Sequence, residues 1–159
     1  MLSNRVTLNA AKNVSAPAPA DTHSIPYGYF GGGFLPANSI VDRIDYANDL
    51  AVAVVKGPLS LARQQLAAVG STSYGYFGGG GSPNNSTVDR IDYANDTATA
   101  IAKGPLSSAR YAPGSTGNSS YGYFAGGAFP AKVTVDRIDY SNDTATASVK
   151  GSLSIARYQ

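Results

Sequence analysis

The chain repeats itself every 47 residues, and no other feature constrains its fold as strongly. Tyr27-Gly28-Tyr29-Phe30 returns at Tyr74 and Tyr121, and Val41-Asp42-Arg43-Ile44-Asp45-Tyr46 at Val88 and Val135. Lys56-Gly57-Pro58-Leu59-Ser60 returns at Lys103 and, with Ser in place of Pro, at Lys150. Residues 27–63 match 74–110 at 28 of 37 positions, and 74–110 match 121–157 at 26 of 37, without insertion or deletion. A repeat of this length is one supersecondary unit that buries its apolar surface against the next copy. Three units leave 18 of the 159 residues outside the repeat.

Each unit reads as four short strands. Gly-Tyr-Phe-Gly-Gly is an aromatic strand ended by glycines, followed by a variable loop (residues 33–39, 80–86 and 127–133). Thr-Val-Asp-Arg-Ile-Asp-Tyr is a second strand, and Ala-Asn-Asp a turn, since Asn and Asp side chains bond their own backbone. Thr-Ala-Thr-Ala-x-x is predicted as a third strand through its Thr residues. Small residues after each Arg, as in Leu66-Ala67-Ala68-Val69-Gly70, supply a fourth. Ala, Gly, Ser and Thr are abundant and Glu is absent, which disfavours helices. Four strands in 47 residues match one blade of a β-propeller. In Thr87–Tyr93 one face carries Thr, Asp, Ile and Tyr and the other Val, Arg and Asp, so neither face is wholly polar. A strand covered on both sides is therefore expected.

The order of small strand, aromatic strand ending in Gly-Gly, acidic strand ending in Tyr, and Pro-Leu before an Arg resembles the kelch repeat over residues 16–159. The matching residues are Gly32, Gly33, Gly79, Gly80, Gly126 and Gly127; Tyr46, Tyr93 and Tyr140; and Arg63, Arg110 and Arg157. The kelch Trp would fall near Ala53, Ala100 and Ala147, and the chain has no Trp. The wording Tyr-Gly-Tyr-Phe, Val-Asp-Arg-Ile-Asp-Tyr, Asn-Asp-Thr-Ala-Thr-Ala resembles kelch-like arrays in virion structural proteins of tailed phages, cyanophages especially. An all-β chain is expected, with an N-terminal arm (1–15) outside the resemblance and propeller blades at 16–62, 63–109 and 110–159, the last including the start of a further blade. Closed propellers have about four to eight blades, so three are too few and the ring is expected to be completed by self-association. Two chains give six blades, the preferred closure, and three give nine. The arm, with a strand-like Val6-Thr7-Leu8-Asn9 and a stiff Ala16-Pro17-Ala18-Pro19-Ala20 connector, is expected to pair with another subunit or with other virion proteins, a frayed terminus being the alternative.

Composition narrows the chemistry. With no Cys and one His (His23) the chain has no thiol nucleophile, no Cys-based metal site and no His pair. A net charge of +2 predicts no nucleic-acid partner. No apolar run approaches the ~20 residues of a membrane span, and Met1-Leu2-Ser3-Asn4-Arg5 opens no visible signal peptide; the resemblance implies the virion as the location, after synthesis in the host cytoplasm. The resource left is acid. Nine of ten Asp are repeat positions: Asp42, Asp45, Asp49, Asp89, Asp92, Asp96, Asp136, Asp139 and Asp143. A catalytic acid pair needs two different environments and is normally singular, so threefold repetition points to structure, with Arg43, Arg90 and Arg137 as partners. Arg90 and Asp92 share a strand face and can pair within a unit or across to the next. Calcium held by Asp89, Asp92, Asn95 and Asp96 is the rival. Gly31–Gly33 and Gly78–Gly81 lack the Lys-Ser/Thr of a phosphate loop and suit close backbone approach or a bulge. Sequons at Asn95 and Asn142 carry little weight without a signal peptide.

The units differ where recognition is expected. Unit 1 has Leu50, Val52, Val55 and Leu61 where unit 2 has Thr97, Thr99, Ala102 and Ser108, which suggests a covered outer strand. The candidate interaction surface is Phe34, Leu35, Leu50, Val52, Leu61, Asn84, Asn85, Phe129 and Lys132. Catalytic, metal and cofactor residues are not expected. The expected function is that of a non-enzymatic virion component: a decoration, tail appendage or host-contact module. A carbohydrate-binding propeller, reading a host glycan through its tyrosines or variable loops, is the alternative, and an enzyme with its site in the channel a third.

Overall fold

A computed structural model describes residues 25–158 apart from Ser82 and Phe129. The expectations for the N-terminal arm, the Pro-Ala connector, His23 and Phe129 fall outside the described residues.

The described chain is all-β, built of three separate antiparallel sheets, none closed on itself. The first contains β1 (Tyr27–Gly33), β2 (Asn38–Asp45) and β3 (Val54–Val55). The second contains β4 (Ala67–Gly70), β5 (Tyr74–Gly78), β6 (Val88–Asp92) and β7 (Ile101–Ala102), in sequence order. The third contains β8 (Gly114–Gly117), β9 (Tyr121–Ala125), β10 (Val135–Asp139) and β11 (Ser148–Lys150). Residues 20–23, the repeat equivalents of β4, lie outside the description, which leaves the first sheet with three described strands.

Register repeats with the sequence: Tyr27 faces Asp45, Tyr74 faces Asp92 and Tyr121 faces Asp139. The acidic strand stops where its last Asp turns its carboxylate to its own backbone, accepting from Ala47, Ala94 or Ser141 N–H. In the second and third sheets this opens a 3-10 turn, Tyr93–Asn95 and Tyr140–Asn142. Two expectations need correction here. Thr-Ala-Thr-Ala-x-x is strand only at its end: Thr97 and Ala98 follow the turn, Thr99 and Ala100 are irregular, and pairing begins at Ile101. The reason is tertiary, since the Ala100 and Ala147 N–H groups donate to Pro58 and Pro105 of the preceding unit. The first variable loop is also shorter than expected, because β1 runs through Gly33 and β2 starts at Asn38, with an irregular register between Gly31 and Gly33.

The hydrophobic core lies between the sheets. Val41 and Leu59 of unit 1 meet Phe77, Ile91 and Ala100 of unit 2. Tyr76, Val88 and Leu106 of unit 2 meet Phe124, Ile138 and Ala147 of unit 3. Neighbours along a strand point to opposite faces, so Phe77 and Tyr76 serve different interfaces, and the middle sheet is covered on both sides as its pattern predicts. Gly32, Gly79 and Gly126 have φ of 74°, 70° and 69°, a region that favours glycine. Their conformation lets the next N–H donate to the carbonyl of Arg63, Arg110 or Arg157. The glycine runs therefore seat the arginine segment.

Candidate functional site

Two polar constellations recur between the sheets. In the first, Arg63 and Arg110 are wholly buried and pair with wholly buried Asp89 and Asp136, at 3.1 and 3.0 Å. Asp136 also accepts from the backbone N–H and hydroxyl of Ser107, and Asp89 from those of Ser60. Arg110 donates further to the carbonyls of Gly126 and Thr134. Burial holds both guanidinium groups below their ordinary pKa, with the facing carboxylate pulling the other way.

In the second, Arg43 reaches Asp96 at 2.7 Å, joined by Lys56 at 3.2 Å and the Tyr29 hydroxyl at 3.0 Å. One unit on, Arg90, Lys103 and Tyr76 meet Asp143 at 2.7, 3.4 and 3.1 Å. Tyr29 stacks on Tyr93 and Tyr76 on Tyr140, with ring centroids 5.1 and 4.9 Å apart. Each arginine of this set also lies over an aromatic ring of its own sheet, as Arg90 over Tyr74 at 4.2 Å. Burial pushes the Asp96 carboxyl up, but hydrogen bonds from Lys56 and Tyr29, with the charges of Arg43 and Lys56, outweigh it and hold the group below its ordinary value.

The expected pairing of Arg90 with Asp92 is not what forms. Asp92 is spent on the turn, and Arg90 crosses to Asp143. The partnership does run between units, but to the third Asp of the motif. Asp89, Asp92 and Asp96 thus have separate partners, and no cluster of three or more His, Asp or Glu suited to a metal exists among the described residues. Pattern reading missed Lys56, Lys103, Ser60 and Ser107. The signal was present, because Lys-Gly-x-Leu-Ser recurs at a fixed offset in every unit.

The expected interaction surface divides. Phe34, Leu35 and Leu61 lie towards one end of β2 and Leu50 and Val52 at the other, so they do not form one patch. Leu50 and Val52 stand almost wholly in solvent, at 97% and 91% exposed. Asn84 is exposed and Asn85 and Lys132 are half-buried, the backbone carbonyls of the latter two accepting from Arg110 and Arg157 N–H. The tyrosines largely fill the spaces between sheets. One exception is a shallow groove of about 430 Å³ between the second and third sheets, lined by Tyr74, Tyr121, Tyr140, Asp139 and several hydroxyl side chains.

The third copy of each constellation is split between the two ends of the stack. Tyr123, Arg137, Lys150, Leu153 and Arg157 stand on the outer face of the third sheet, where Tyr76, Arg90, Lys103, Leu106 and Arg110 engage the next unit. Phe30, Asp42, Ile44, Tyr46 and Asp49 stand on the outer face of the first. Phe30 is 62% exposed, whereas its equivalents Phe77 and Phe124 are 2% and 0% exposed. Neither Asp42, Asp49, Arg137, Lys150 nor Arg157 has an ion pair among the described residues.

Alkali should separate the tyrosines. Tyr29 is pushed up to about 12 by burial and by its bond to Asp96, and Tyr93 and Tyr140 to about 12, mainly by burial. A folded value above the ordinary 10.0 means that stability is intact below pH 10 and is lost as the pH rises from 10 towards 12, where the unfolded chain sheds protons that the folded one keeps. Urea midpoints across this range should fall together with a delayed tyrosinate absorbance. A flat midpoint would contradict the assignment.

No protein-family model matches the chain, and no curated protein resembles it closely enough to count as a relative.

Proposed function

We propose that the chain is a non-enzymatic, kelch-like propeller module whose ring is completed by association with a second copy of itself, and that it serves in a phage virion as a decoration, tail appendage or host-contact element. The observation that carries the associating part is the unequal fate of the three copies. Two sets of apolar and charged partners are joined inside the chain and the third is divided between its open faces. Six stacked units lie within the usual range for closed propellers. The commitment of Asp89, Asp96, Asp136 and Asp143 to inter-sheet pairs supports a structural use of the acids. The virion assignment rests on the wording of the repeat. The expected species in solution has twice the 16.3 kDa chain mass by light scattering, and the protein should co-sediment with purified particles. A monomer at all concentrations would overturn the closure, and absence from particles the placement.

The Tyr74, Tyr121 and Tyr140 groove favours a second reading, a carbohydrate-binding propeller, since aromatic faces ringed by hydroxyls suit a sugar. Binding on a glycan array that is lost in Tyr121→Ala would support it. An array without signal would dismiss it.

A further inference from the structure

We infer that the second copy docks head to tail, its first sheet laid on the third sheet of its partner in the register already used twice within the chain. The inference rests on the self-association proposed above and adds the faces, the register and one residue that tests them. That residue is Gly151. A Cβ at Gly57 would fall on the carbonyl oxygen of Ala98, and one at Gly104 on that of Ala145, because the backbone of the next unit runs directly against these glycines. Gly57 and Gly104 N–H donate to the Asp96 and Asp143 carbonyls at 2.8 Å. Gly151 is the third copy, and nothing lies within 4 Å of a Cβ built there. It leaves open the space that the backbone of another unit requires.

The turn at Asp49 has the form that fits this space. Ala51 N–H donates to Asn48 at 3.2 Å, as Ala98 N–H does to Asn95 and Ala145 N–H to Asn142, both at 3.2 Å. Charge is complementary as well. Asp42 and Asp49 mark one face and Arg137, Lys150 and Arg157 the other, so docking would set Arg157 against Asp42 and Arg137 and Lys150 against Asp49. Each of these pairs copies one already formed inside the chain. Such a contact is heterologous, each copy giving one face of each kind.

One residue departs from the pattern. Gly31 and Gly78 lie under the rings of Phe77 and Phe124, where a Cβ would come within 2.9 and 2.6 Å of a ring carbon. The third copy of this glycine is Ala125. Its methyl occupies part of the seat of Phe30, so that ring must shift, and the contact between chains is weaker than those within them. Removing the methyl should strengthen association.

Sedimentation of the full chain tests the inference. Gly151→Val should keep the wild-type circular dichroism, since the side chain enters open space, and weaken association about tenfold or more. Asp49→Lys should do the same from the opposite face. Mixing these two chains should favour a one-to-one open pair over either homodimer, because the pair has one wholly intact contact and leaves its doubly altered contact unmade. Ala125→Gly should tighten the wild-type association. If the wild type is a monomer throughout, self-association and this inference both fall. If it associates but Gly151→Val and Asp49→Lys associate equally well, the head-to-tail register is wrong and self-association stands.

Discussion

Replacing Asp136 with alanine should lower the unfolding free energy by about 3–5 kcal/mol, the range for breaking a buried ion pair from one side. The carboxylate is wholly buried and accepts from Arg110, the Ser107 hydroxyl and the Ser107 N–H. Its removal leaves a buried guanidinium whose remaining bonds are to neutral oxygens, and a buried charge without a counter-charge is far costlier than a missing neutral bond. Urea denaturation would read the loss. The repeat supplies its own control. Asp42, at the same motif position, has no ion pair among the described residues, so Asp42→Ala should cost under about 1 kcal/mol in the dissociated chain. The double exchange Arg110→Met with Asp136→Leu should recover part of the loss, since a buried pair can often be replaced by apolar volume. Equal losses at Asp42 and Asp136 would refute the assignment of stability to the inter-sheet pair.

The second large effect is expected at Gly104. Valine there drives a side chain into the main chain of the third sheet at Ala145 and threatens the Gly104 N–H bond to Asp143. Overpacking a core usually costs about 1–3 kcal/mol. Here the obstacle is backbone, which cannot turn to another rotamer, so Gly104→Val should reach or exceed the top of that range. The same exchange at Gly151 meets open space and should cost under about 1 kcal/mol in the dissociated chain. Thermal melts of the two variants would settle the contrast. A Gly104 variant as stable as wild type would mean that the sheets are not in contact at this point.

Much of the strand content was legible because it follows from local chemistry. The small strand Ala67–Gly70, the aromatic strand Tyr74–Gly78 and the acidic strand Val88–Asp92 stand where their patterns place them. The assignment of Phe77 and Tyr76 to opposite faces needed only the two-residue period of a strand. Reading failed where the backbone is bound by another unit. Thr97–Ala100 have the composition of a strand, but Ala100 N–H is taken by Pro58, and strand propensity yields to a hydrogen bond that only stacking supplies.

The polar pairs divide in the same way. The repeat alone pointed to Asp and Arg as structural, because a catalytic acid pair is normally singular. It could not say which Asp each Arg meets. Arg43 and Arg90 find their partners 53 residues on, one repeat plus six, past a closer carboxylate on the same strand. That offset is set by how far one sheet is displaced over the next and by the turn consuming Asp45 and Asp92, neither of which is encoded in spacing along a strand. By itself, then, the sequence determined the unit, most of its strands and the residue types that hold units together. The tertiary structure decided the pairing, the burial of Arg63 and Arg110, and the need for glycine at Gly57 and Gly104, because each depends on the distance between two stacked sheets.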